Sequence, residues 1–593
     1  MREIKFHIHL FFILMTLLNF CSYAQFQYQL IEPETTIKIG KGNYFLDFGK
    51  AYFGTIHIIA KKNQNDSLII HLGEKSNGIH VDKSPGGTIR YQRVKVDPGI
   101  KDEITTIQLE PDQRNTNPRA IALPDSFDVL LPFRYCEIEN LKIPISKIQI
   151  YQKAYHYEFN DNASYFSSSD TLLNEIWKLC KHTIKATSFT GYYIDGDRER
   201  IPYEADAYIN QLSHFALDTV YSMARRTNAY FFNHPTWPTE WILHQVLLNY
   251  HEYMYTGNKR ILRANYEKLK IRTLSDLARE DGLISSESRN LDSTLMKNIG
   301  FKDEREQLQD IVDWPPAQKD TGWQLATEEG ERDGYDMKAI NTVVNCFYYQ
   351  NLKLMASIAS ELGYDKDNQF YTKEAQRVKN TINTKLFDST KGVYIDGEGS
   401  NHSSLHANMF PLAFEIVPEE LSKSVIEFVK SRGMACSVYG AQYLLEGLFH
   451  YNEPKYALDL ITNTEGDRNW WNMIRNKSSM TWEAWDIKFK PNLDWNHAWG
   501  TAPANIISRN LWGIRPETPE YKQVIIKPQL SSLNLSKIKV PTKLGVIQCS
   551  YKAIGQTQIY EIELPETMIG VFHKKDGSIQ KLNQGKNTIR EIL

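Results

Sequence analysis

The hydrophobic pattern changes period twice along the chain. From about residue 25 to 165 apolar positions alternate or come in short β-branched runs. Ser67-Leu68-Ile69-Ile70-His71-Leu72 and Ile145-Ser146-Lys147-Ile148-Gln149-Ile150-Tyr151 are examples, separated by turn clusters such as Asn63 to Asp66 and Ser84-Pro85-Gly86-Gly87. These predict strands, and a β-sandwich is the natural way to bury them. From about 168 to 513 the period is helical. Leu172, Ile176, Leu179 and Thr183 share a face, as do Leu243, Leu247, Tyr250 and Met254, where Thr239 is placed to cap and Gly257 to close. Val344, Tyr348, Leu352, Met355 and Ala359 stop at Gly363, and Tyr371, Ala375, Val378 and Ile382 follow. Further helices are expected near 204–226, 259–280, 404–414, 418–431, 437–449, 453–463 and 499–511. Paired by short turns and closed in a ring they would form an (α/α)6 barrel, and periodicity alone fits an open α-solenoid equally well. After the connector Gly513-Ile514-Arg515-Pro516-Glu517-Thr518-Pro519 the β pattern returns, in Val524-Ile525-Ile526-Lys527-Pro528 and Ile559-Tyr560-Glu561-Ile562-Glu563-Leu564. The expected division is thus 25–166, 167–514 and 515–593.

Residues 1–24 carry Arg2 and Lys5, an apolar run from Leu10 to Phe20, and Ser22-Tyr23-Ala24 at the end, the layout of a secretory signal cleaved after Ala24. Lipid attachment at Cys21 is the alternative, with bulky Phe20 against it. The expected location is the periplasm or the exterior of a Gram-negative bacterium, without stable membrane insertion once the signal is removed, since the run is too short for a spanning helix. Over all 593 residues, 69 Lys+Arg face 71 Asp+Glu, a net charge of −2. That balance lacks the basic footprint of a nucleic-acid binder. Cys136, Cys180, Cys346, Cys436 and Cys549 are scattered and odd in number, which fits buried thiols better than disulfides or a zinc site. His402 and His406 have metal-ligand spacing but no Glu between them, so the pair is set aside as a polar helix start beside which His406 can reach a pocket. Phosphate-binding and dinucleotide motifs are missing. No cofactor or metal is expected.

All twelve tryptophans fall in the helical region. Trp314, Trp323, Trp470, Trp471, Trp482, Trp485 and Trp495 sit outside its clear helices, near Pro, Gly, Asp or Asn. They predict loops at a barrel mouth, either as platforms for sugar rings or as a packed loop layer. The run Glu328-Glu329-Gly330-Glu331-Arg332-Asp333 is expected to be a solvated loop.

Two segments have a chemical layout. Tyr193-Ile194-Asp195-Gly196-Asp197-Arg198-Glu199-Arg200-Ile201-Pro202-Tyr203-Glu204-Ala205-Asp206 packs five carboxylates and two arginines before a helix. Met480-Thr481-Trp482-Glu483-Ala484-Trp485-Asp486 sets a carboxylate between tryptophans. Apolar rings raise a carboxyl pKa, and a nearby arginine lowers it. Two such carboxylates meeting across a pocket would suit glycoside hydrolysis, whereas a solvated acidic helix start explains the first segment equally well.

These segments resemble motifs of the family 78 glycoside hydrolases, the α-L-rhamnosidases with a six-hairpin barrel. Arg198-Glu199-Arg200 matches the family's R-E-R, and Asp206 stands seven beyond Glu199 as that motif requires. Asp195 matches the leading Asp with one residue fewer before Arg198. Thr481-Trp482-Glu483-Ala484-Trp485 resembles T-x-W-E-x-W with one residue fewer. Asn496-His497 resembles the following N-H, and Asp313-Trp314 a D-W pair of the sugar pocket. Ser168 to Asn174 looks like the start of the barrel, and Tyr44 to Lys50 like the opening of the preceding β-domain. Gly196-Asp197 and Pro202-Tyr203 depart from the family's C-P and G-W, which makes Asp195 the weakest correspondence and leaves the sugar read by the pocket open.

The resemblance implies a multidomain protein in which an (α/α)6 barrel catalytic domain is flanked by N- and C-terminal β-sandwich domains. It implies an exported hydrolase that removes α-L-rhamnose, or a closely related sugar, from an oligo- or polysaccharide by inversion. Glu199 would be the general acid and Glu483 the base. Asp195, Arg198, Asp206, Asp313, Trp314, Trp482 and His497 would hold the sugar. Two other readings compete. One is a polysaccharide lyase on a helical toroid using Tyr192 or Tyr193 with a histidine. The other is a carbohydrate-binding relative without turnover.

Overall fold

The structure is a computed structural model and describes residues 26–60, 67–96, 104–303, 305–317, 327–328 and 330–592. The expected signal sequence, the Asn63–Asp66 turn and Trp323 lie outside the described residues.

The N-terminal strands are β1 (Phe26–Ile31), β2 (Thr35–Gly40), β3 (Asn43–Ala60), β4 (Leu68–Gly73), β5 (Tyr91–Val96), β6 (Ile104–Thr106), β7 (Leu131–Glu139) and β8 (Ile148–Tyr157). They form one sheet in the order β1-β8-β3-β7-β4-β5, with β2 and β6 also on β3. The long β3 joins two layers. Its first half pairs with β2 and β7, its register shifts between Asp47 and Tyr52, and its second half pairs with β8 and β6. Both halves send side chains into one core, Leu46 and Phe48 from the first and Ile56 and Ile58 from the second. A bulge that bends a strand lets one sheet cover both sides of that core.

Fourteen α-helices follow among the described residues. They are α1 (Thr171–Ala186), α2 (Glu204–Leu217), α3 (Ser222–Phe231), α4 (Thr239–Thr256), α5 (Lys259–Arg272), α6 (Ser293–Ile299), α7 (Thr342–Leu362), α8 (Asp365–Lys385), α9 (Leu405–Ala413), α10 (Glu419–Arg432), α11 (Ala441–His450), α12 (Pro454–Ile461), α13 (Trp470–Arg475) and α14 (Ala502–Ile506). A small hairpin, β10 (Phe387–Asp388) and β11 (Val393–Tyr394), lies between α8 and α9. The predicted helix near 204–226 is two, because Asp218 turns to extended geometry and the next helix starts at Ser222. Gly257 and Gly363 close α4 and α7 in the left-handed conformation, whereas Pro238 rather than Thr239 holds the α4 cap position.

Helices α2, α9 and α14 are buried throughout, and α4, α7 and α11 nearly so. A helix apolar or buried all round belongs inside. These six pack in succession, α2 on α4, α4 on α7, α7 on α9, α9 on α11 and α11 on α14, and α14 returns to α2. Ser213 Oγ donates to the Thr501 carbonyl at 2.9 Å across that seam. The ring is therefore closed, not an open solenoid.

The C-terminal strands form two sheets. One is β12 (Ile514–Pro516), β13 (Gln523–Ile526), β17 (Ile569–His573) and β18 (Ile579–Leu582). The other runs β19 (Gly585–Ile592), β16 (Thr557–Leu564), β15 (Gly545–Ile554), β14 (Leu535–Thr542) and then β9 (Tyr165–Ser168). Gln558, Tyr560, Ile562 and Leu564 alternate inward along β16, the period of two that the sequence shows. Strand β9 precedes the barrel, yet it pairs with β14, Phe166 opposite Ile538. A boundary at 166 therefore cuts a strand that completes the C-terminal sheet.

Candidate active site

The loop between α1 and α2 turns tightly. The Asp195 N–H donates to the Ile201 carbonyl at 3.0 Å and the Arg200 N–H to that of Gly196 at 3.1 Å, with Arg200 at φ 56°. Gly196 stands where the loop meets a second one, residues 486–497. A Cβ there would come within 2.6 Å of Asp494 Oδ2, so only glycine admits this approach. The turn sends its charges in different directions. Asp197 is fully buried, held by Arg200 at 2.7 Å and by Arg90 of the N-terminal domain at 2.8 Å. Arg198 points the other way.

Arg198 brings the two motifs together. Its Nη1 and Nη2 donate to Glu483 Oε2 and Oε1 at 2.5 and 2.8 Å, and its Nε lies 3.3 Å from Glu199 Oε1. Nε and either Nη of a planar guanidinium are about 2.3 Å apart, so the nearest oxygens of Glu199 and Glu483 stand within about 8 Å. The two carboxyls differ in setting. The Glu483 side chain is 3% exposed and that of Glu199 34%. Burial pushes the Glu483 carboxyl up, but Arg198 and Lys490, the latter 3.2 Å away, outweigh it and hold Glu483 well below the usual carboxylate range. Glu199 Oε2 accepts from the Tyr203 hydroxyl at 2.7 Å. Burial, together with Glu199, pushes that phenol well above its usual value, so it stays a donor.

Asp195 is buried. Its Oδ1 accepts from the Ile201 N–H at 2.9 Å, and Oδ2 has no partner among the described residues. Burial, with the charge of Glu199 beside it, lifts Asp195 well above the carboxylate range. Asp206, on the first turn of α2, meets His497 Nε2 at 2.7 Å. Burial would lower the imidazolium pKa, but Asp206 and Asp494 together push it up to about 10. His497 is therefore charged at neutral pH. Glu483, Asp494 and His497 each bring a donor atom within 4.8 Å of the others, as metal ligands do. Arg198, Lys490 and the protonated His497 already supply the positive charge there, and the cluster reads as an ion-pair network.

The remaining expected site residues are placed differently. Asp313 is 0% exposed and its oxygens are taken. Ser437 donates to it through both Oγ and N–H, His406 Nε2 lies at 2.7 Å, and the Trp314 N–H donates at 2.8 Å. It ties its own loop to the loop at Ser437 and to helix α9 at His406, and presents no free oxygen to a sugar. Trp314 is partly buried against the core. Trp482 is buried with one face stacked on Trp495, ring centroids 4.7 Å apart, and that face is closed to a sugar. Trp470 and Trp485 meet edge to face in the core at 4.9 Å. Trp482, Trp485 and Trp495 fit the packed-loop reading, and Trp470 is a core residue that opens α13.

The run 328–333 is not a solvated loop in its second half. Glu331 and Arg332 are buried, and Glu331 Oε1 accepts from the Trp485 N–H. Burial, opposed by that bond, lifts Glu331 well above the carboxylate range. A run of charges cannot show locally that a distant backbone N–H awaits one of them. Lys490 and Asp494 also escaped the sequence reading, since nothing in Phe489-Lys490-Pro491 marks a cation aimed at Glu483. Cys136, Cys180, Cys346, Cys436 and Cys549 are unpaired and buried, as their scatter suggested.

Residues 161–511 match the family model for the bacterial alpha-L-rhamnosidase 6 hairpin glycosidase domain. The chain belongs to the bacterial α-L-rhamnosidase six-hairpin glycosidase family. Residues 513–571 match the model for the C-terminal domain of bacterial α-L-rhamnosidases. A curated relative, an α-L-rhamnosidase of Alteromonas sp. (strain LOR), is 24% identical over 321 residues, 51% of this chain and 31% of its own. Among solved structures, the α-L-rhamnosidase of Dictyoglumus thermophilum superposes with a TM-score of 0.72 at 16% identity, over 95% of this chain and 63% of that one. The Streptomyces avermitilis α-L-rhamnosidase complexed with L-rhamnose gives 0.72 at 12%, over 95% and 54%. The chain thus spans about a third of that curated rhamnosidase and under two thirds of these two structures. Within the family, the helical catalytic domain with sheet domains on either side is this chain's architecture too.

Proposed function

We propose that this protein is an α-L-rhamnosidase that cleaves terminal α-L-rhamnose, or a closely related sugar, from an oligo- or polysaccharide with inversion. The observation that carries the reading is Arg198, which spans Glu199 and Glu483 and pins Glu483 as a carboxylate. Paired acids assume different roles when their surroundings set them apart. Glu483, buried and ionised by two cations, is suited to take a proton from water and not to give one. The acid's task then falls to Glu199, which is open at the mouth and reachable by a leaving-group oxygen. Their separation, at most about 8 Å, lies under the upper end of the roughly 6.5–9.5 Å that inverting pairs use, and the stereochemistry rests on the family resemblance. Asp195, whose Oδ2 has no partner among the described residues, can offer that oxygen to a sugar hydroxyl. His497 stiffens the floor through Asp206 and Asp494.

The lyase reading has less support. The Tyr193 hydroxyl and His214 Nδ1 are 2.8 Å apart, but both side chains are sealed in the core, where a polymer cannot reach. A binding protein without turnover has no use for a base held ionised beside an acid. The leader-like residues 1–24 support export, to the periplasm or beyond.

Aryl glycosides of several sugars provide the first test, with aryl α-L-rhamnoside expected to be the one hydrolysed. Proton NMR of fresh product then tests stereochemistry. β-L-Rhamnose should form first, and α-L-rhamnose forming first would overturn inversion.

A further inference from the structure

We infer that the outer face of the C-terminal sheet β9-β14-β15-β16-β19 is a second binding site, which takes a segment of an acidic polysaccharide, a chain whose sugars carry carboxylates. The choice of a glycan rests on the proposed hydrolysis, and the binding itself is tested without turnover. The face holds a hollow of about 620 Å³, lined by all five strands, and shares no lining residue with the acid–base site.

The period of two decides what this face displays. On β14, Ser536, Ile538 and Val540 are buried, which turns Leu535, Lys537 and Lys539 outward. On β15, buried Cys549 and Tyr551 leave Gln548, Ser550 and Lys552 outside, and on β16 buried Ile562 leaves Glu561 and Glu563 outside. Strand register sets these residues in rows. Tyr165, Lys539, Gln548, Glu563 and Lys586 stand opposite one another in turn, a row of four inter-strand steps that spans about 19 Å. Lys537 is two residues from Lys539 and, facing Ser550, lies diagonal to Lys552. Neighbours at such positions are about 7 Å apart.

Charge selects the occupant. Lys537, Lys539, Lys552 and Lys586 line the hollow with Glu561 and Glu563 against them, a positive face on a chain whose total is −2. None of these lysines has an ion-pair or hydrogen-bond partner among the described residues. Lys537, Lys539 and Lys552 therefore repel one another until an anion covers them. Nucleic acid fits poorly, because Glu561 and Glu563 interrupt the continuous basic track that a phosphate backbone follows. A neutral glycan leaves the lysine cluster uncompensated. An acidic glycan suits both signs. Its carboxylates meet the lysines, and its hydroxyls donate to the glutamates and bond with Gln548 and Ser550. Tyr165, 47% exposed at the end of the row, offers its ring to the apolar face of a sugar.

The test is calorimetry of the full chain against polygalacturonate, dextran and double-stranded DNA at one ionic strength. The wild type is expected to bind polygalacturonate and neither of the others. The triple variant Lys537→Gln, Lys539→Gln, Lys552→Gln is expected to raise the Kd at least about tenfold, which three exposed ion pairs can supply. A control with the same change in charge at exposed helix positions, Lys366→Gln, Lys373→Gln, Lys423→Gln, should keep the wild-type Kd. No binding of polygalacturonate by the wild type overturns the site, as do equal losses in both triple variants, or dextran or DNA bound as tightly as polygalacturonate. If the first triple variant does not fold by circular dichroism, Lys537→Gln alone takes its place, with an expected rise in Kd of about twofold or more, and an unchanged Kd overturns the site. Turnover of an aryl α-L-rhamnoside should be the same in the wild type and both triple variants. If the wild type turns over no rhamnoside, the hydrolase reading fails, and the binding series still judges the sheet face by itself.

Discussion

The two β-domains look alike in sequence and do different work. The N-terminal one reaches the loops that carry both acids. Thr88 N–H donates to the Leu493 carbonyl at 2.9 Å, Ile121 N–H to that of Arg200 at 2.9 Å, and Asn115 Nδ2 to that of Asp197 at 2.8 Å. Asn496 Nδ2 in turn donates to Glu74 Oε1 at 3.0 Å. The C-terminal domain touches the opposite ends of the inner helices. Lys543 Nζ reaches the last carbonyl of α4, Thr256, at 3.2 Å, and Gln529 Nε2 reaches Phe449 near the end of α11 at 3.1 Å. The acids belong to the N-terminal ends of that ring, at Glu204 of α2, Thr239 of α4 and Ala441 of α11. One domain thus braces the loops of Glu199 and Glu483 and the other closes the base of the barrel.

The largest effects set the scale for that contrast. Glu199→Gln and Glu483→Gln should each lower kcat on an α-L-rhamnoside by at least about 10²-fold, the usual contribution of acid–base catalysis, with the fold intact by circular dichroism. Near-normal turnover in either variant would remove that residue from the mechanism.

Next comes Arg90→Met on the bracing side. It leaves Arg200 as the one cation on buried Asp197, so a urea titration should show a loss of about 3 kcal/mol, the low end for a broken buried pair. Turnover should fall with it, because the turn holding Glu199 loosens. Stability lost with kcat intact would break the claim that this domain serves the site.

A pH series on Glu74→Gln sharpens the same point. Burial, with Asp197 and Asp494 adding to it, lifts the Glu74 pKa from 4.5 to about 8. A group raised on folding stabilises below its unfolded pKa, and that contribution is lost as pH rises through the folded value. Wild-type stability should therefore decline between about pH 4.5 and 8. The variant should gain on the wild type across that window, by at most about 1.4 kcal/mol for each pH unit crossed. Parallel curves would show that Glu74 titrates normally.

The smallest effect is expected on the far side. Lys543→Met removes a half-exposed partner of Glu520 and should change stability by about 0–1 kcal/mol and kcat not at all. A drop in kcat there would erase the distinction between the domains.

Periodicity sufficed for the strand and helix regions, because burial on one face writes a period of 2 or 3.6 into any chain that packs that way. The R-E-R and W-E-x-W runs were legible for a similar reason, since local chemistry concentrates in loops beside a scaffold. Ring closure was not, as α14 meets α2 across almost the whole barrel. Nor was the state of Glu483. Its flanking tryptophans argued for a raised pKa, and only folding brought Arg198 and Lys490 to reverse that. Asp313 read as a sugar ligand and became a loop anchor once Ser437 and His406 closed on it. Glu331 read as solvated and was buried by the N–H of Trp485. In each case the sequence supplied the residue's chemistry and the fold supplied its partner, and a charge in a low-dielectric interior takes its behaviour from the partner.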